Sequence, residues 1–434
     1  MAEAASDPRA LEDRLVGLAL VATWPVYLIG GLYILGPVLG VSLTAIWFVR
    51  HYLRQKPGKL SPEPIPMGVW FWIGGMLVME IALLAGHVAQ GLSIGQTIKS
   101  SIGWAKGWAL LAMFPLAGAC LRIRPETVIR GASLTALGTL ILLPVFLAAP
   151  RIGLPEVLFV SPLSIVGGPG PEFFAVQFYS IDPGDGLPRW RFFTPWSPAA
   201  ALIGNLYLIL ALEDRRLFWK IVGVIAALTI IILSKSRLGI ATAILIWPTA
   251  LCLSQIRRSA VWLAAALPTF TALLISPVVI NWVTALLDNI RGMRAGSSRV
   301  REALGRIAVD RWANEAPIWG HGVVERGPHY VEYMPIGSHH TWFGLLFVKG
   351  VAGVLALAIP LIWTLLETAL LALSRPIGRM AFAITLLLAF FTIGENLEIL
   401  SYLLWPGLIL MGSAMAEAAR IRRENLNQPE CRNV

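Results

Sequence analysis

The sequence predicts an all-α protein, a polytopic bundle of about 12 transmembrane helices. Three observations carry that prediction. Of 434 residues, 56% are hydrophobic and only 14% are charged, whereas a soluble domain is about one-quarter charged. Apolar runs recur along the chain near the ~20 residues that a helix needs to cross hydrocarbon. Between them, Arg and Lys gather in alternate connections, as the insertion bias of cytoplasmic loops requires.

Taken in order, the spans fall near 15–31, 33–50, 67–89, 104–121, 131–148, 197–212, 217–233, 238–254, 259–283, 350–373, 380–394 and 400–418. The polar segment from Met1 to Arg14 precedes a long hydrophobic hairpin with no small-residue cleavage site, so the first span is expected to be uncleaved. One connection carries Arg50, Arg54, Lys56 and Lys59, the next Arg122, Arg124 and Arg130. Arg215 and Arg216, Arg257 and Arg258, Arg375 and Arg379, and Arg420, Arg422 and Arg423 follow. All fall on one side, expected to be cytoplasmic together with both termini of a bacterial inner-membrane protein. The net charge of +10 is therefore read as a topology signal and not as a nucleic-acid footprint. Cys120, Cys252 and Cys431 are too scattered for a disulfide framework. Trp24, Trp70, Trp72, Trp104 and Trp108 are expected as interface anchors, and His51 and His87 as interface residues.

Three parts result. Residues 1–196 form an N-terminal bundle with a first long outer loop, about 149–196. Residues 197–373 form a core that includes a second outer (periplasmic) loop, about 284–340, and residues 374–434 add the last spans and a tail. Loops of this length are usually functional or disordered. The first is rich in Pro and Gly, and Asp182 and Asp185 read there as turn residues more readily than as a metal site. In the second, Ser298 to Glu315 has helical spacing, with Leu304, Ile307, Ala308 and Trp312 as one apolar stripe. This predicts an amphipathic helix over the mouth of the bundle.

The outer side should be poor in cations, yet it holds Arg189, Arg191, the turn Ser234-Lys235-Ser236-Arg237, and Arg291, Arg294, Arg299, Arg301, Arg306, Arg311 and Arg326. Guanidinium is suited to bidentate contact with phosphate oxygens. A phosphate-bearing, lipid-linked ligand would satisfy such a cluster. The alternative is that these arginines meet lipid headgroups or pair with Glu302, Asp310, Glu315, Glu325 and Glu332. Arg237 has no acid near it in sequence, and ionisable residues at membrane depth are functional by default. His321, His329, His339 and His340 lie in or at the end of the second loop. His321 and His329, eight apart with no Cys, do not suggest zinc, and no metal is expected.

The stretch from Ser338-His339-His340-Thr341 to Gly350-Val351-Ala352-Gly353 resembles the signature of O-antigen ligases and related polysaccharide polymerases. That signature is His, then Asn, Ser or Gln, nine residues, Gly, two residues, and Gly, Thr or Tyr. With His339 first, Gly350 and Gly353 are in register, and His340 departs from the pattern. Three more stretches are similar to family segments: Ser234 to Gly239, Ser298 to Gly322 with Arg299 and Arg301, and Arg191 with Pro195. The resemblance covers about 190–360.

The resemblance implies an inverting, metal-independent membrane glycosyltransferase without a cofactor. It implies an undecaprenyl-pyrophosphate-linked glycan as donor, and as acceptor a saccharide hydroxyl, on a lipid-linked repeat unit or lipid A core. His339 would be the general base. Arg191, Arg237, Arg299 and Arg301 would hold the pyrophosphate. His340, Gly350, Gly353 and Glu395 are candidate supports; the two glycines, three apart on one helix face, also fit plain packing. Glu395 and Glu398 fall in the last outer turn, where a solvated role is the alternative. The rival reading is a transporter or flippase of lipid-linked saccharides, whose usual marks are inverted repeats and interrupted helices; neither is visible in the sequence.

Overall fold

A computed structural model describes residues 10–53, 64–182, 186–259 and 295–427, with scattered positions between 261 and 284. The span expected at 259–283, and Arg54, Lys56, Lys59, Asp185, Arg291, Arg294 and Cys431, lie wholly or mostly outside the described residues. The protein is mainly helical. In chain order the helices are α1 (Leu11–Val21), α2 (Thr23–Leu28), α3 (Leu32–Phe48), α4 (Met67–Ala89), α5 (Ile94–Lys106), α6 (Leu110–Cys120) and α7 (Pro125–Ala148). Then come α8 (Ser197–Leu212), α9 (Leu217–Leu233), α10 (Arg237–Ser254), α11 (Ala295–Glu315), α12 (Thr341–Ala372), α13 (Pro376–Phe391) and α14 (Leu397–Asn427).

Among the described residues, six helical stretches are long and apolar enough to cross a membrane, and α8, α9 and α13 are shorter apolar helices. These follow the predicted spans with three differences. The first span is broken after Val21 and turns at Gly30, where φ is +69°. The fourth begins only at Leu110, because an exposed amphipathic helix, α5, precedes it. The tenth begins at Thr341, nine residues before the expected start, so the His pair stands at the mouth of a helix.

α14 is the centre of the bundle, with 83% of its most apolar window buried. It can be central because small residues let backbones touch, the usual device where lipid supplies no hydrophobic drive between helices. A side chain at Gly118 would overlap the Ile409 carbonyl, and one at Gly412 the Pro115 carbonyl, so α6 and α14 pack backbone to backbone. Pro115, Pro360 and Pro406 lie inside helices, where neighbouring helices shield the freed backbone groups.

The first long loop is not irregular. It forms two hairpins, β1 (Val157–Val160) with β2 (Ala175–Gln177), and β3 (Tyr179–Ile181) with β4 (Pro188–Trp190). Asp182 stands in the second hairpin's turn, where the Gly186 N–H donates to its carbonyl. Several expected interface residues are instead core residues. Trp24, Trp72 and Trp108 are buried, while Trp70 is exposed. Trp24 donates to the Thr135 carbonyl at 3.1 Å and Trp72 to the Thr364 hydroxyl at 2.9 Å, since a buried indole N–H requires a partner. His87 is buried too, bonded to the Leu83 carbonyl and the Ser100 hydroxyl.

The two ends of the bundle differ chemically. At one end the basic connections meet acids: Arg50 with Glu12, Arg130 with Asp214, Arg379 with Glu213 and Arg422 with Glu367. At the other end lie the two hairpins, α11, and the first residues of α8, α10, α12 and α14.

Candidate active site

α11 is the predicted amphipathic helix. Leu304 and Ala308 are buried in a small cluster with Val331, Ile336 and Phe347. Arg301, Leu304, Gly305 and Ala308 follow i, i+3, i+4, i+7 spacing and so share one face. Gly305 lies against the Phe343 ring, which sets this face on the start of α12. Arg301 is thereby brought to His339. Arg299, two positions earlier, is roughly 200° away around the helix. Both arginines are exposed, and the helix face is what distinguishes them. The structure therefore separates two arginines that the sequence treats as equivalent.

His339 is half-buried. Burial first, and then the positive charge of Arg301, push its imidazole down to about 4 from the ordinary 6.5. It is neutral at neutral pH and able to accept a proton. The next residue, His340, is the N-cap of α12. Its Nδ1 accepts from the Phe343 N–H at 3.4 Å, and its ring stacks on Phe343 with centroids 4.1 Å apart. Asn and Ser, which the family signature prefers here, are common N-cap residues because their side chains accept from the first turn. The departure at His340 thus keeps the local function, and burial lowers the His340 pKa, which suits an acceptor nitrogen.

Thr341 fastens this segment to the turn between α13 and α14. Its hydroxyl donates to the Glu395 carbonyl at 2.6 Å, and its N–H to the Thr392 carbonyl at 2.9 Å. Glu395 is buried, and its Oε2 accepts from the Trp196 indole at 2.8 Å. Burial pushes the Glu395 carboxyl up to about 7, against the opposing influence of Trp196 and of the Arg301 charge. The Arg301 charge thus bears on both His339 and Glu395, and Thr341 ties the His pair to the turn that holds Glu395.

Arg237 is the first residue of α10, and the Ser236 hydroxyl caps that helix by accepting from the Gly239 N–H at 3.2 Å. Its neighbour Leu238 packs against Gly394, next to Glu395, which places Arg237 at the same end of the bundle. Arg191 is half-buried. It donates to the Gln177 side chain and to the Pro195 carbonyl, so it is held by the hairpin layer one short segment from Trp196. Its Nε has no partner, and burial, then Arg189, lower its pKa.

Gly350 has a role different from helix packing. Its φ is +60° and ψ −161°, so α12 is interrupted there. The turn segment from Pro317 to Gly322 docks into the interruption. Val351 N–H donates to Pro317 O at 3.0 Å, Ala352 to Ile318 at 3.2 Å, His321 to Phe347 at 2.9 Å and Gly322 to Val348 at 2.9 Å. A side chain at Gly350 would overlap the Ile318 carbonyl, and one at Gly353 the Lys349 Cβ. His321, expected near the loop entrance, is instead buried, stacked on Phe347 with centroids 4.3 Å apart and bonded to Glu315 at 2.7 Å. Arg311, then His321, hold the Glu315 carboxyl down to about 2. The second loop is therefore anchored over the site through α12 itself.

The sequence reading passed over Trp196, which has the common appearance of an interface indole, and Lys349. Lys349 precedes the interruption and is fully buried, with the charges of Glu80 and Glu398 acting on it. A lysine within an apolar span was the signal available for it. No family model matches this chain, and no curated protein matches it.

Proposed function

We propose that this protein is a membrane glycosyltransferase of the O-antigen ligase and polysaccharide polymerase type, spanning the bacterial inner membrane about 12 times with its site on the periplasmic face and its termini in the cytoplasm. The donor is a glycan on undecaprenyl pyrophosphate, and the acceptor is a sugar hydroxyl. The observation that supports this reading is geometric: the His339–His340 pair opens α12, Thr341 beside it donates to the Glu395 carbonyl at 2.6 Å, and the α11 face that carries Arg301 packs on Phe343 at the same helix start.

The acceptor oxygen attacks the anomeric carbon as His339 takes its proton. The bond from that carbon to the pyrophosphate oxygen breaks, and the electron pair leaves with undecaprenyl pyrophosphate. Fixed cations stabilise the charge that develops on the leaving group, an effect that needs no reorganisation during the step. Arg301 is the cation whose charge bears on the base, and Arg237 and Arg191 stand at the same end. Binding of the diphosphate neutralises Arg301 and so raises the basicity of His339 when the proton must move.

The test is reconstitution with a synthetic undecaprenyl-pyrophosphate glycan, with and without a chelator. Product is expected in both, and none from His339→Ala that inserts and folds. Undiminished transfer by that variant removes His339 from the reaction.

One observation favours a second reading, transport of a lipid-linked saccharide: α12 is interrupted at Gly350, and interrupted helices are common in transporters. Translocation of a labelled lipid-linked saccharide across vesicles with no coupled product favours transport.

A further inference from the structure

At the end of the bundle remote from His339 there is a cavity of about 1100 Å³ between α1, α7, α9 and the start of α13. α8 runs from one end to the other, and its 16 residues set the two regions ~24 Å apart. Arg14, Arg124, Arg130, Arg215, Arg216 and Arg375 line the cavity together with five acids. Three of the arginines are committed: Arg130 to Asp214 at 3.0 Å, Arg375 to Glu417 at 3.7 Å and, loosely, Arg215 to Glu126 at 4.0 Å. Among the described residues, the side chains of Arg14, Arg124 and Arg216 have no acidic partner. The Asp13 and Asp214 carboxylates that could neutralise them are turned to backbone, accepting from the Arg124 and Arg216 N–H groups at 2.9 Å each. On the same wall Arg130, stacked 4.8 Å over the Trp219 ring, leaves its buried Nη1 without a hydrogen-bond partner. Apart from Thr127, whose hydroxyl donates to Asp13, the rest of the lining is apolar, and Leu18, Val21 and Leu134 are exposed there.

We infer that this cavity is a binding site for an anionic phospholipid. The guanidinium groups of Arg14, Arg124 and Arg216 take the phosphate oxygens, and the acyl chains lie along Leu18, Val21 and Leu134. The shape of the charge argues for an amphiphile. A free anion needs only the arginines, but here cations without an acidic partner among the described residues adjoin exposed apolar side chains that a hydrocarbon tail would cover. Basic pockets between helices are a known mode of headgroup recognition. The site is chemically separate from the proposed transfer reaction and does not depend on it.

The full-length protein in neutral detergent is titrated with phosphatidylglycerol, phosphatidylcholine or inorganic phosphate. Retained lipid is read by native mass spectrometry, and the Trp219 signal, taken as the fluorescence difference between the wild type and Trp219→Phe because the chain has 17 Trp, reports occupancy. Phosphatidylglycerol is expected to be retained in preference to phosphatidylcholine, and Arg14→Gln/Arg124→Gln/Arg216→Gln to weaken retention by about 10- to 100-fold. Arg257→Gln/Arg258→Gln, which removes two exposed cations outside the cavity, is expected to leave it unchanged. Val21→Trp keeps every charge and fills the apolar wall, and is expected to reduce retention as well. Equal retention by the wild type and the triple variant overturns the proposal. So does a Trp219 response to inorganic phosphate equal to that with the lipid, or equal retention of the two lipids.

Discussion

The Trp196 indole N–H donates to Oε2 of Glu395 across 2.8 Å, joining the residue before α8 to the turn between α13 and α14. Two segments far apart in sequence thereby fix a carboxyl beside Arg301. Burial pushes that carboxyl up to about 7 from 4.5, so it holds its proton through the acid range and ionises across neutrality. A raised folded pKa favours the protonated form. The stability it contributes is therefore full below about 4.5 and lost as pH rises through about 7. The ionised carboxylate would also compete with a diphosphate for Arg301. kcat/KM for the donor is expected to fall as pH rises through about 7, and Glu395→Gln to abolish that limb while keeping activity. An unchanged pH profile in the variant would separate Glu395 from donor binding.

Arg301 and Arg299 provide an internal comparison. Only Arg301 shares the face of Leu304, Gly305 and Ala308, and only its charge acts on His339. Arg301→Gln is expected to lower kcat/KM by about 10²- to 10³-fold, the scale for removing one group that stabilises transition-state charge. Arg299→Gln is expected to change it little. Equal losses in the two variants, measured on the reconstituted donor, would show that the helix face does not decide.

Most of the helical layout was legible because hydropathy is a long-range average, insensitive to any single residue. α4, α7, α8, α9 and α10 lie close to where the apolar runs place them. The amphipathic α11 was readable from spacing alone, and the same spacing would have distinguished Arg301 from Arg299. The hairpins of the first loop were not readable, since strands of three or four residues leave no periodic signal. Nor was the break at Gly350. A Gly-x-x-Gly pair fits helix packing as well as it fits an interruption, and the partner segment, Pro317–Gly322, lies 28 residues or more upstream. One ground for setting transport aside, the lack of an interrupted helix, thereby disappears. Burial of Glu395 depends on Trp196 and Thr341, which no local pattern near Glu395 reveals.

The capping role of His340 leads to a graded expectation. Asn at this position accepts from the first turn as His340 Nδ1 does now. His340→Asn is expected to retain transfer and thermal stability. His340→Ala loses the cap and the stacking on Phe343, at a cost of roughly 1 kcal/mol for the cap alone. A thermal melt of the purified protein and an initial-rate assay separate the three forms. If both variants lose transfer equally while remaining folded, His340 takes part in chemistry beyond the cap.

Gly350 is the residue on which the docked segment depends. At φ +60° a side chain carries a backbone strain of about 1–3 kcal/mol. At this position the added Cβ would also overlap the Ile318 carbonyl. Relief requires the segment from Pro317 to Gly322 to withdraw, which breaks its four hydrogen bonds to residues 347–352 and frees His321 from Phe347. Gly350→Ala is therefore expected to raise amide exchange at Ile318 to Gly322, lower the melting temperature and reduce transfer, although Gly350 touches no proposed reacting group. Val351→Ala, a neighbour whose side chain is 37% exposed, serves as the control and should match the wild type. Wild-type exchange at Ile318 to Gly322 in Gly350→Ala would mean that the break tolerates a side chain, and that the loop is held over the site by some other contact.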